Sequence, residues 1–410
     1  MASIHKNLSH ETKEKEFAMI DKLIGKECCG CKMCGDVCPI SAIQFVTDYE
    51  GFWYPQVDQK KCVKCGLCTK KCPVLDETVN EKAFMPDVYC AWIKDEDIRI
   101  KSTSGGVYSA LALTMLQEGG YIAGCAFSED WKSAKHIVGN TREDLEKIYR
   151  SKYFQSDTAG IFRSVMELLK GGNKVLFCGT PCQNAALKEY LGKEYDDLVQ
   201  CDFICRGINS PKAHQANIRE LEKKYGSEVD FFNFKNKSAG WTRLGLLVKF
   251  KNGRQDFTDR DTSAWTKGYI SYNLFMRPSC EHCRFKKLPR ISDISFGDFW
   301  GLQGTPENMA KGMSLVMVNT EKGRRFYEQT LPLLYSEPQT LETALKGNLC
   351  ILNSPKYYHN KRDAFFKNVE NEDFSKLVNR LNRTQEIKRR VNRFLQPAKR
   401  VIKKVIRRGD

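Results

Sequence analysis

Two runs of cysteine near the start of the chain share one spacing. Each run reads C-x2-C-x2-C-x3-C and is followed directly by a proline, Pro39 or Pro73. Three thiolates at such intervals can wrap one loop around three corners of a cuboidal 4Fe–4S cluster, and the proline stops the loop from continuing as a helix. In paired runs of this kind, the fourth cysteine of each run binds the neighbouring cluster.

The doubled run therefore predicts two sets of cluster ligands. The first cysteine set is Cys28, Cys31, Cys34 and Cys72. The second cysteine set is Cys62, Cys65, Cys68 and Cys38. A zinc ribbon is the alternative, but it needs two cysteine pairs and not two quartets with an additional x3-C-P. Cys29 fits no ligand position and is predicted to be a bystander.

The segment between the runs reads as two short strands joined at Asp48–Gly51, which predicts a hairpin beside the clusters. Five lysines lie near the second cysteine set: Lys60, Lys61, Lys64, Lys70 and Lys71. Such a basic rim can dock an acidic electron carrier of the ferredoxin or flavodoxin type. Ordinary solvated lysines are the equally weighted alternative.

The composition indicates a reducing compartment and more than one domain. The chain has 410 residues, of which 41% are hydrophobic and 18 are cysteine. Its N-terminus carries no apolar leader, and no stretch approaches 18 apolar residues, so we expect a cytoplasmic protein without a membrane span. Cysteine is then expected as a metal ligand rather than in disulfides.

The net charge of +16 is concentrated at the C-terminus, because residues 380–410 contain twelve Lys or Arg and two acids. One side of this tail is apolar: Val391, Phe394, Leu395, Ala398, Val401, Ile402 and Val405. A basic amphipathic helix predicts docking to a partner or to the inner face of a membrane. A solvated terminal helix is the alternative. Nucleic-acid binding is disfavoured, because Phe394 is the tail's one aromatic residue.

After residue 85, strands alternate with helices. VYCAWIK, YIAGCAF, KVLFCG and LVQCDF read as strands, and polar residues or cysteines follow several of them. This order predicts an α/β layer, in which ligands bind at the carboxyl ends of the strands. Ser104, Gly105 and Gly106 precede a helix, which suits a phosphate site but equally an ordinary N-cap and turn. More strands follow from about Val229, and the sequence beyond residue 340 is predicted to be helical and peripheral.

The predicted fold class is α+β, with a ferredoxin-like domain before an α/β domain. Residues 1–24 form a polar lead-in with a short helix, and residues 25–76 form the two-cluster domain. Residues 77–340 form the main domain, in two parts (77–165 and 166–340), and residues 341–410 form a helical region with the basic tail.

The order of the motifs resembles the β-subunit family of deazaflavin (coenzyme F420) hydrogenases and dehydrogenases. The resemblance covers about residues 25–335 and rests on the cysteine quartets, TSGGVYSAL, SKYFQS, CGTPCQ, ICRGINSP, C-x2-C-x-F and SDISFGDFWG. It implies an iron–sulfur oxidoreductase with FAD beside a third 4Fe–4S cluster. The FAD neighbours that it implies are Thr103, Ser104, Gly105, Gly106, Lys152, Gln155 and Thr180.

The resemblance also implies four thiolates for the third cluster. The candidates form the distal cysteine set: Cys182, Cys205, Cys280 and Cys283. A zinc site or unligated thiols are the alternatives. Cys178 and Cys201, on apolar strands, are expected to act as small hydrophobic residues. The family commonly has histidine where this chain has Arg206, a permanent cation that could stabilise a reduced flavin or bind an acidic substrate. Arg206 is therefore the one candidate for a catalytic role, and its presence argues against use of the deazaflavin.

Two functions follow from this reading. The first is a flavin-dependent enzyme that passes electrons between a soluble carrier, the clusters, FAD and a small-molecule substrate, in either direction. The second is a non-catalytic electron-transfer subunit that relays charge to a partner within an oligomer. The presence of the flavin-domain motifs favours the enzyme.

Overall fold

The predicted hairpin joins the two cysteine runs. The structure is a computed structural model that describes residues 19–76, 85–384 and 387. Strand β1 (Ile43–Thr47) pairs antiparallel with β2 (Trp53–Val57). The Asp48 carboxylate accepts hydrogen bonds from the amides of Glu50 and Phe52, which fixes the turn. The short helices of this region are α1 (Ile20–Leu23), α2 (Met33–Val37) and α3 (Leu67–Lys70), with a 3-10 turn at Gly25–Glu27.

An eight-stranded sheet forms the centre of the main domain, in the order β13-β3-β12-β11-β7-β6-β4-β5. Its strands are β3 (Asp87–Ile93), β4 (Tyr121–Phe127), β5 (Ala134–Gly139), β6 (Val175–Gly179), β7 (Leu198–Phe203), β11 (Ile294–Asp298), β12 (Ser314–Val318) and β13 (Leu334–Gln339). The four central strands β11, β7, β6 and β4 are parallel, and the outer strands pair antiparallel. The carboxyl ends of the four parallel strands therefore meet at one edge of the sheet.

Helices cover both faces of this sheet, as its apolar strands require. Leu176 packs on one face with the residues of α5 and α6, while Val175 and Phe177 pack on the other with α7 and α8. The helices of this layer are α4 (Glu96–Lys101), α5 (Val107–Gln117), α6 (Arg142–Ile148), α7 (Ile161–Lys170), α8 (Pro181–Leu191) and α12 (Glu321–Thr330). The α/β layer is confirmed, and with the antiparallel elements the whole chain is an α+β protein.

A second, three-stranded antiparallel sheet follows, in the order β10-β9-β8. It consists of β8 (Val229–Asn236), β9 (Gly245–Phe250) and β10 (Gln255–Asp259). The other helices are α9 (Pro211–Tyr225), α10 (Ala264–Ile270), α11 (Pro306–Lys311), α13 (Leu341–Gly347) and α14 (His359–Asn368). Further 3-10 turns lie at Trp241–Arg243, Pro278–His282, Leu331–Leu333 and Leu349–Ile351. Residues 374–384 are also helical.

The prediction that the region beyond residue 340 is peripheral is wrong. Phe365 and Phe374 are almost fully buried, and they belong to the same apolar cluster as Phe52 of the hairpin and Phe275. Arg362 of α14 forms a buried ion pair with Glu50. The aromatic side chains of these helices supply part of the core between the hairpin and the second sheet, so the helices cannot be an appendage.

The predicted basic tail and the lead-in before residue 19 lie outside the described residues. Within the part of the chain that the structure describes, no helix is both long and apolar enough to cross a bilayer. The domain boundaries given above stay predictions.

A buried histidine in this core makes the fold sensitive to acid. His214 stacks on Phe154 at 4.0 Å between ring centroids, and its Nε2 donates to the Trp131 carbonyl at 2.7 Å. Burial lowers the pKa of His214 to about 4. The unfolded chain binds this proton near pH 6.5, so stability is lost as the pH falls from 6.5 towards 4.

We expect the variant His214→Gln to show a weaker pH dependence of the free energy of unfolding. Its loss of stability between pH 7 and pH 5.5 should be about 1 kcal/mol smaller than that of the unmodified protein. Urea unfolding at the two pH values measures this difference. His359, whose side chain is 68% exposed, provides the matched control His359→Gln. An equal pH dependence in all three proteins would contradict the prediction.

Candidate functional site: three cysteine sets and a cavity

Arg277 connects the first cysteine loop to the main domain. This side chain is fully buried. Its Nε donates to the Cys28 carbonyl at 2.6 Å, and its Nη2 donates to the Trp53 carbonyl at 3.0 Å. Its Nη1 donates to Gln155 Oε1 at 3.1 Å. One guanidinium thus fixes the first cysteine loop, the hairpin and the SKYFQS segment relative to each other.

Gln155 lies at this junction and not in the cavity that is described below. Its Nε2 donates to the Gly30 carbonyl at 3.2 Å. Gly30 has φ +74°, and a Cβ there would lie 2.1 Å from Gln155 Nε2, so the close approach requires glycine. The resemblance implied that Gln155 is a flavin neighbour, whereas in the structure its side-chain amide donates a hydrogen bond to the first cysteine loop.

The members of the first cysteine set lie together. The Cys34 thiol interacts electrostatically with Cys28, Cys72 and Cys68, and Cys31 interacts with Cys72 and Cys34. Cys31, Cys34 and Cys72 are 8–9% exposed. Burial raises the pKa of each of these three thiols. Cys72 comes from the second run, so its position agrees with an exchange of fourth ligands, which stays a prediction.

All four members of the second cysteine set line one small cavity. Its wall contains Cys38, Cys62, Cys65 and Cys68. Cys65 is exposed, whereas the other three are partly buried. The fourth member again comes from the other run. The second set therefore opens at the protein surface.

The distal cysteine set also converges, although its members are far apart in sequence. The Cys205 thiol interacts electrostatically with Cys280, Cys182 and Cys283. Cys182 is the second residue of α8, which follows the strand β6, and Cys205 follows β7. Cys280 and Cys283 come from the 3-10 turn Pro278–His282 and the residue after it.

Cys29 lies between the first and the distal sets. Its thiol contacts Cys182 of the distal set and Cys31 of the first set. The cysteine spacing predicts no ligand role for Cys29, and its position explains how one loop can reach both sets. Within the described ranges, no group of three or more His, Cys, Asp or Glu side chains is spaced to hold a single metal ion.

A buried ion pair holds two parts of the distal set together. Arg290 Nη2 donates to Asp202 Oδ1 at 2.7 Å, and the Ser292 hydroxyl donates to Asp202 Oδ2 at 2.8 Å. Both charged side chains are at most 2% exposed. Asp202 lies three residues before Cys205, and Arg290 follows the Cys280–Cys283 segment, so this pair fixes the two segments relative to each other.

A cavity of about 510 Å³ opens at the carboxyl edge of the parallel strands. The end of each of these strands contributes wall residues: Cys125, Gly179, Phe203 and Asp298 are examples from β4, β6, β7 and β11. This is the edge at which sheets of this kind bind ligands, and the volume is that of a small-molecule or cofactor site.

Most of the implied FAD neighbours line this cavity. Thr103, Ser104, Gly106, Lys152 and Thr180 are in its wall. Gly105 is buried behind the wall, where its amide donates to the Ser314 hydroxyl at 2.9 Å. The α5 helix begins directly after Gly106, whose φ is +82°, so the amides of its first turn border the cavity. A helix N-terminus of this kind favours an anionic ligand.

Several of these side chains also hold the wall in place. The Ser104 hydroxyl donates to the Met313 carbonyl at 2.7 Å, and Thr103 shares a hydrogen bond with Ser151. The Lys152 ammonium donates to three carbonyl groups at the end of α6, at 2.6–2.9 Å. Burial lowers the pKa of Lys152 to about 8. Thr180 caps α8 through the Gln183 amide.

The cavity wall is strongly basic. It contains five Lys or Arg residues, namely Arg150, Lys152, Arg206, Lys235 and Arg260, whereas Asp298 is its one acidic residue among those described. Asp298 is already paired with Lys235 and accepts from Trp241 Nε1 at 2.9 Å. The remaining positive charge suits an anionic ligand.

Four polar atoms in this wall are buried and have no hydrogen-bond partner within the described part of the chain. They are the Tyr108 hydroxyl, His136 Nε2, Arg206 Nε and Trp265 Nε1. Each such atom costs about 1–3 kcal/mol unless something satisfies it. The other end of Arg206 is held, because Nη2 donates to Asn273 Oδ1 at 2.9 Å and to the Ile270 carbonyl. A polar ligand would therefore find fixed hydrogen-bonding groups.

Sequence reasoning did not assign a role to Arg277, Asp298 or Trp265. Asp298 lies within a motif that carried the resemblance, so the sequence contained a signal for it. Arg277 precedes Cys280 by three residues, and this proximity alone predicts nothing, because its three acceptors come from distant segments.

The cysteine-rich N-terminal region and the basic cavity together define an iron–sulfur protein of the oxidoreductase class. The profile "4Fe-4S dicluster domain" matches residues 27–75. The profiles "Coenzyme F420 hydrogenase/dehydrogenase, beta subunit" match residues 88–163 with the N-terminal part and residues 172–342 with the C terminus. The chain belongs to this β-subunit family.

Individual relatives are more distant. The chain is 26% identical over 314 residues to a coenzyme F420-dependent sulfite reductase of Methanocaldococcus jannaschii. This alignment covers 65% of this chain and 45% of the relative. Residues of the dicluster region are 39% identical over 51 residues to the ferredoxin-type protein NapF of Haemophilus influenzae, covering 12% of this chain and 29% of that protein. The chain thus spans less than half the length of these curated relatives. A chain of the F420-reducing [NiFe] hydrogenase complex from Methanosarcina barkeri aligns with a TM-score of 0.46 and 18% identity, over 76% of this chain and 94% of that one.

Proposed function

We propose that this protein is a flavin-dependent iron–sulfur oxidoreductase. In this proposal the first and second cysteine sets each hold one 4Fe–4S cluster, the distal set holds a third, and the cavity holds FAD. Electrons pass between a one-electron carrier protein, the three clusters, FAD and an organic substrate. The direction of flow is a second quantity to measure.

The observation that carries the proposal is the position of Cys205. This residue lines the cavity, and its thiol also interacts with the three other members of the distal set. A cluster at the distal set would thus adjoin the cavity. On its other side, Cys29 contacts both Cys182 and Cys31, which supports a continuous path from the first set to the cavity.

The cavity fits FAD in its charge and its unsatisfied groups. The amides at the start of α5 and the residues around Thr103 would hold the pyrophosphate. The Tyr108 hydroxyl and Trp265 Nε1 would donate to polar atoms of the cofactor or substrate. When bound, FAD would supply the exchange between the one-electron steps of clusters and two-electron hydride transfer.

Arg206 and Arg260 would bind and orient an anionic substrate. Arg206 is held by Asn273 and Ile270, so its orientation does not depend on the ligand. Arg260 extends over the Trp300 ring at 5.7 Å. The relationship to an F420-dependent enzyme makes coenzyme F420, itself an anion, one substrate to test. Arg206 in place of the family's usual histidine removes a proton donor from this site, which weakens the case for that substrate.

The cofactor content tests the proposal. Anaerobically purified protein should contain about twelve irons, with matching acid-labile sulfide, and one FAD per chain. The variant Cys205→Ala should retain about eight irons, because the distal cluster loses a ligand. Cys125→Ala is the matched control, since Cys125 lines the same cavity but belongs to none of the three sets.

About eight irons and no flavin in the unmodified protein would contradict the proposal of a flavin-dependent enzyme. That result would favour an electron-transfer subunit without its own substrate. Equal iron content in Cys205→Ala and Cys125→Ala would contradict the assignment of the distal set.

A further inference from the structure

The surface around the second cysteine set combines exposed apolar side chains with a redox site. Ile40, Val63 and Leu67 line the cavity of this set and are 41%, 66% and 37% exposed. Cys65, between them in the chain, is exposed as well. Apolar residues at the centre of a patch, next to the group that must be reached, are typical of a site where another protein docks.

Lysines lie close to these apolar residues in the chain, and one of them, Lys64, lines the same cavity. Lys60, Lys64 and Lys70 are exposed, and none of the three forms an ion pair with an acidic residue in the described part of the chain. Lys61 has a long contact of 3.8 Å with Asp58. The described wall of the cavity includes Lys64 and no Asp or Glu. Among the described residues, no acidic side chain therefore neutralises Lys60, Lys64 or Lys70 through an ion pair.

The other two cysteine sets are less accessible to a carrier protein. Cys31, Cys34 and Cys72 of the first set are 8–9% exposed. The distal set lies between the cavity and the first cysteine loop, and its members are partly buried. Because electron transfer between proteins needs close approach, the second set is the natural point of entry or exit.

We propose that a small acidic one-electron carrier protein docks on this surface, with its redox centre facing Cys65. The docking surface consists of Ile40, Val63 and Leu67 with Lys60, Lys64 and Lys70. The lysines would accelerate the encounter through complementary charge, and the apolar side chains would make the close contact. This inference rests on the proposed function, because it needs a cluster at the second cysteine set.

The test measures how fast a purified, reduced acidic 4Fe–4S ferredoxin bleaches the clusters of the full-length protein in an anaerobic stopped-flow instrument. At low ionic strength, the rate of the variant K60E/K64E/K70E should be at most about one tenth of that of the unmodified protein. The unmodified protein should slow down as NaCl rises from about 20 to about 500 mM. The matched control K101E/K170E/K346E changes the same charge at exposed lysines of α4, α7 and α13 and should react as the unmodified protein does.

Reduction by dithionite separates docking from cluster content. Dithionite should bleach all variants at the same rate, because this small donor does not need the surface. The neutral variant K60Q/K64Q/K70Q should react with ferredoxin at an intermediate rate, which provides a second measurement if the charge reversal impairs folding. Equal ferredoxin rates in the control and either docking variant, or rates independent of salt, would overturn the inference. A salt-dependent rate in protein that lacks FAD would retain the docking surface and reject the flavin proposal.

Discussion

Replacement of Arg277 by methionine is expected to lower the free energy of unfolding by about 3–5 kcal/mol. The variant leaves the Trp53 carbonyl and the Gln155 side chain without the donor that Arg277 provides, and it leaves the Cys28 carbonyl with the Ser279 hydroxyl alone. It also removes a positive charge that interacts with the thiols of Cys28 and Cys280. A buried cation stabilises the more negative, reduced form of a cluster, so the reduction potential of the first cluster should fall.

Anaerobic denaturation and a redox titration followed by EPR measure these two effects. Arg277→Lys separates them, because it retains the charge but cannot donate to all three acceptors in the same planar arrangement. We expect this variant to lose stability while its potential stays near that of the unmodified protein. Arg142→Met, at an exposed position of α6, is the control. An unchanged potential in Arg277→Met would contradict the electrostatic argument.

Replacement of Asp202 by alanine should lower the free energy of unfolding by a similar amount, but for a different reason. The variant leaves the Arg290 guanidinium buried and without its carboxylate, at a cost of about 3–5 kcal/mol. Because this pair fixes the segment before Cys205 relative to the Cys280–Cys283 segment, the cluster that we propose at the distal set should also be lost. Iron content should then fall from about twelve to about eight per chain.

The double variant Asp202→Leu with Arg290→Met tests the reason for this loss. Replacing both charged partners by apolar residues removes the unpaired charge, so part of the lost stability should return. Together with the unmodified protein and the single variants Asp202→Leu and Arg290→Met, the double variant completes a double-mutant cycle, in which a coupling free energy near zero would be the opposing result. Asp230→Ala, at an exposed position in β8, is the control and should retain about twelve irons.

Local pattern allowed much of this fold to be predicted. The hairpin at Asp48–Gly51 and the strands β6 and β7 are encoded within a few residues by alternation, turn residues and caps. The spacing of the two cysteine runs also predicts which thiols share a cluster, and in the structure Cys72 of the second run lies near Cys34 of the first. The position of the cavity, at the carboxyl ends of the parallel strands, could be predicted from the rule that ligands bind where such strands end.

The parts that the sequence did not reveal depend on contacts between distant segments. Gln155 sits in a motif near the cavity, yet it bonds to Gly30, 125 residues away. Arg277 reaches Cys28 across 249 residues. The helices beyond residue 340 have ordinary compositions, and Phe365 is buried because of the hairpin and second sheet that it meets. Periodicity identifies a helix but does not identify its neighbours.

During synthesis, Glu50 leaves the ribosome 312 residues before its partner Arg362. Until then, the hairpin has neither its buried ion pair nor the aromatic side chains of the helices beyond residue 340. The N-terminal thiols therefore pass through a period in which the assembly machinery can reach them. In the folded chain, three thiols of the first set are nearly inaccessible. Insertion of that cluster is then most readily completed on a growing chain, and an apoprotein that has already folded should take up iron and sulfide slowly.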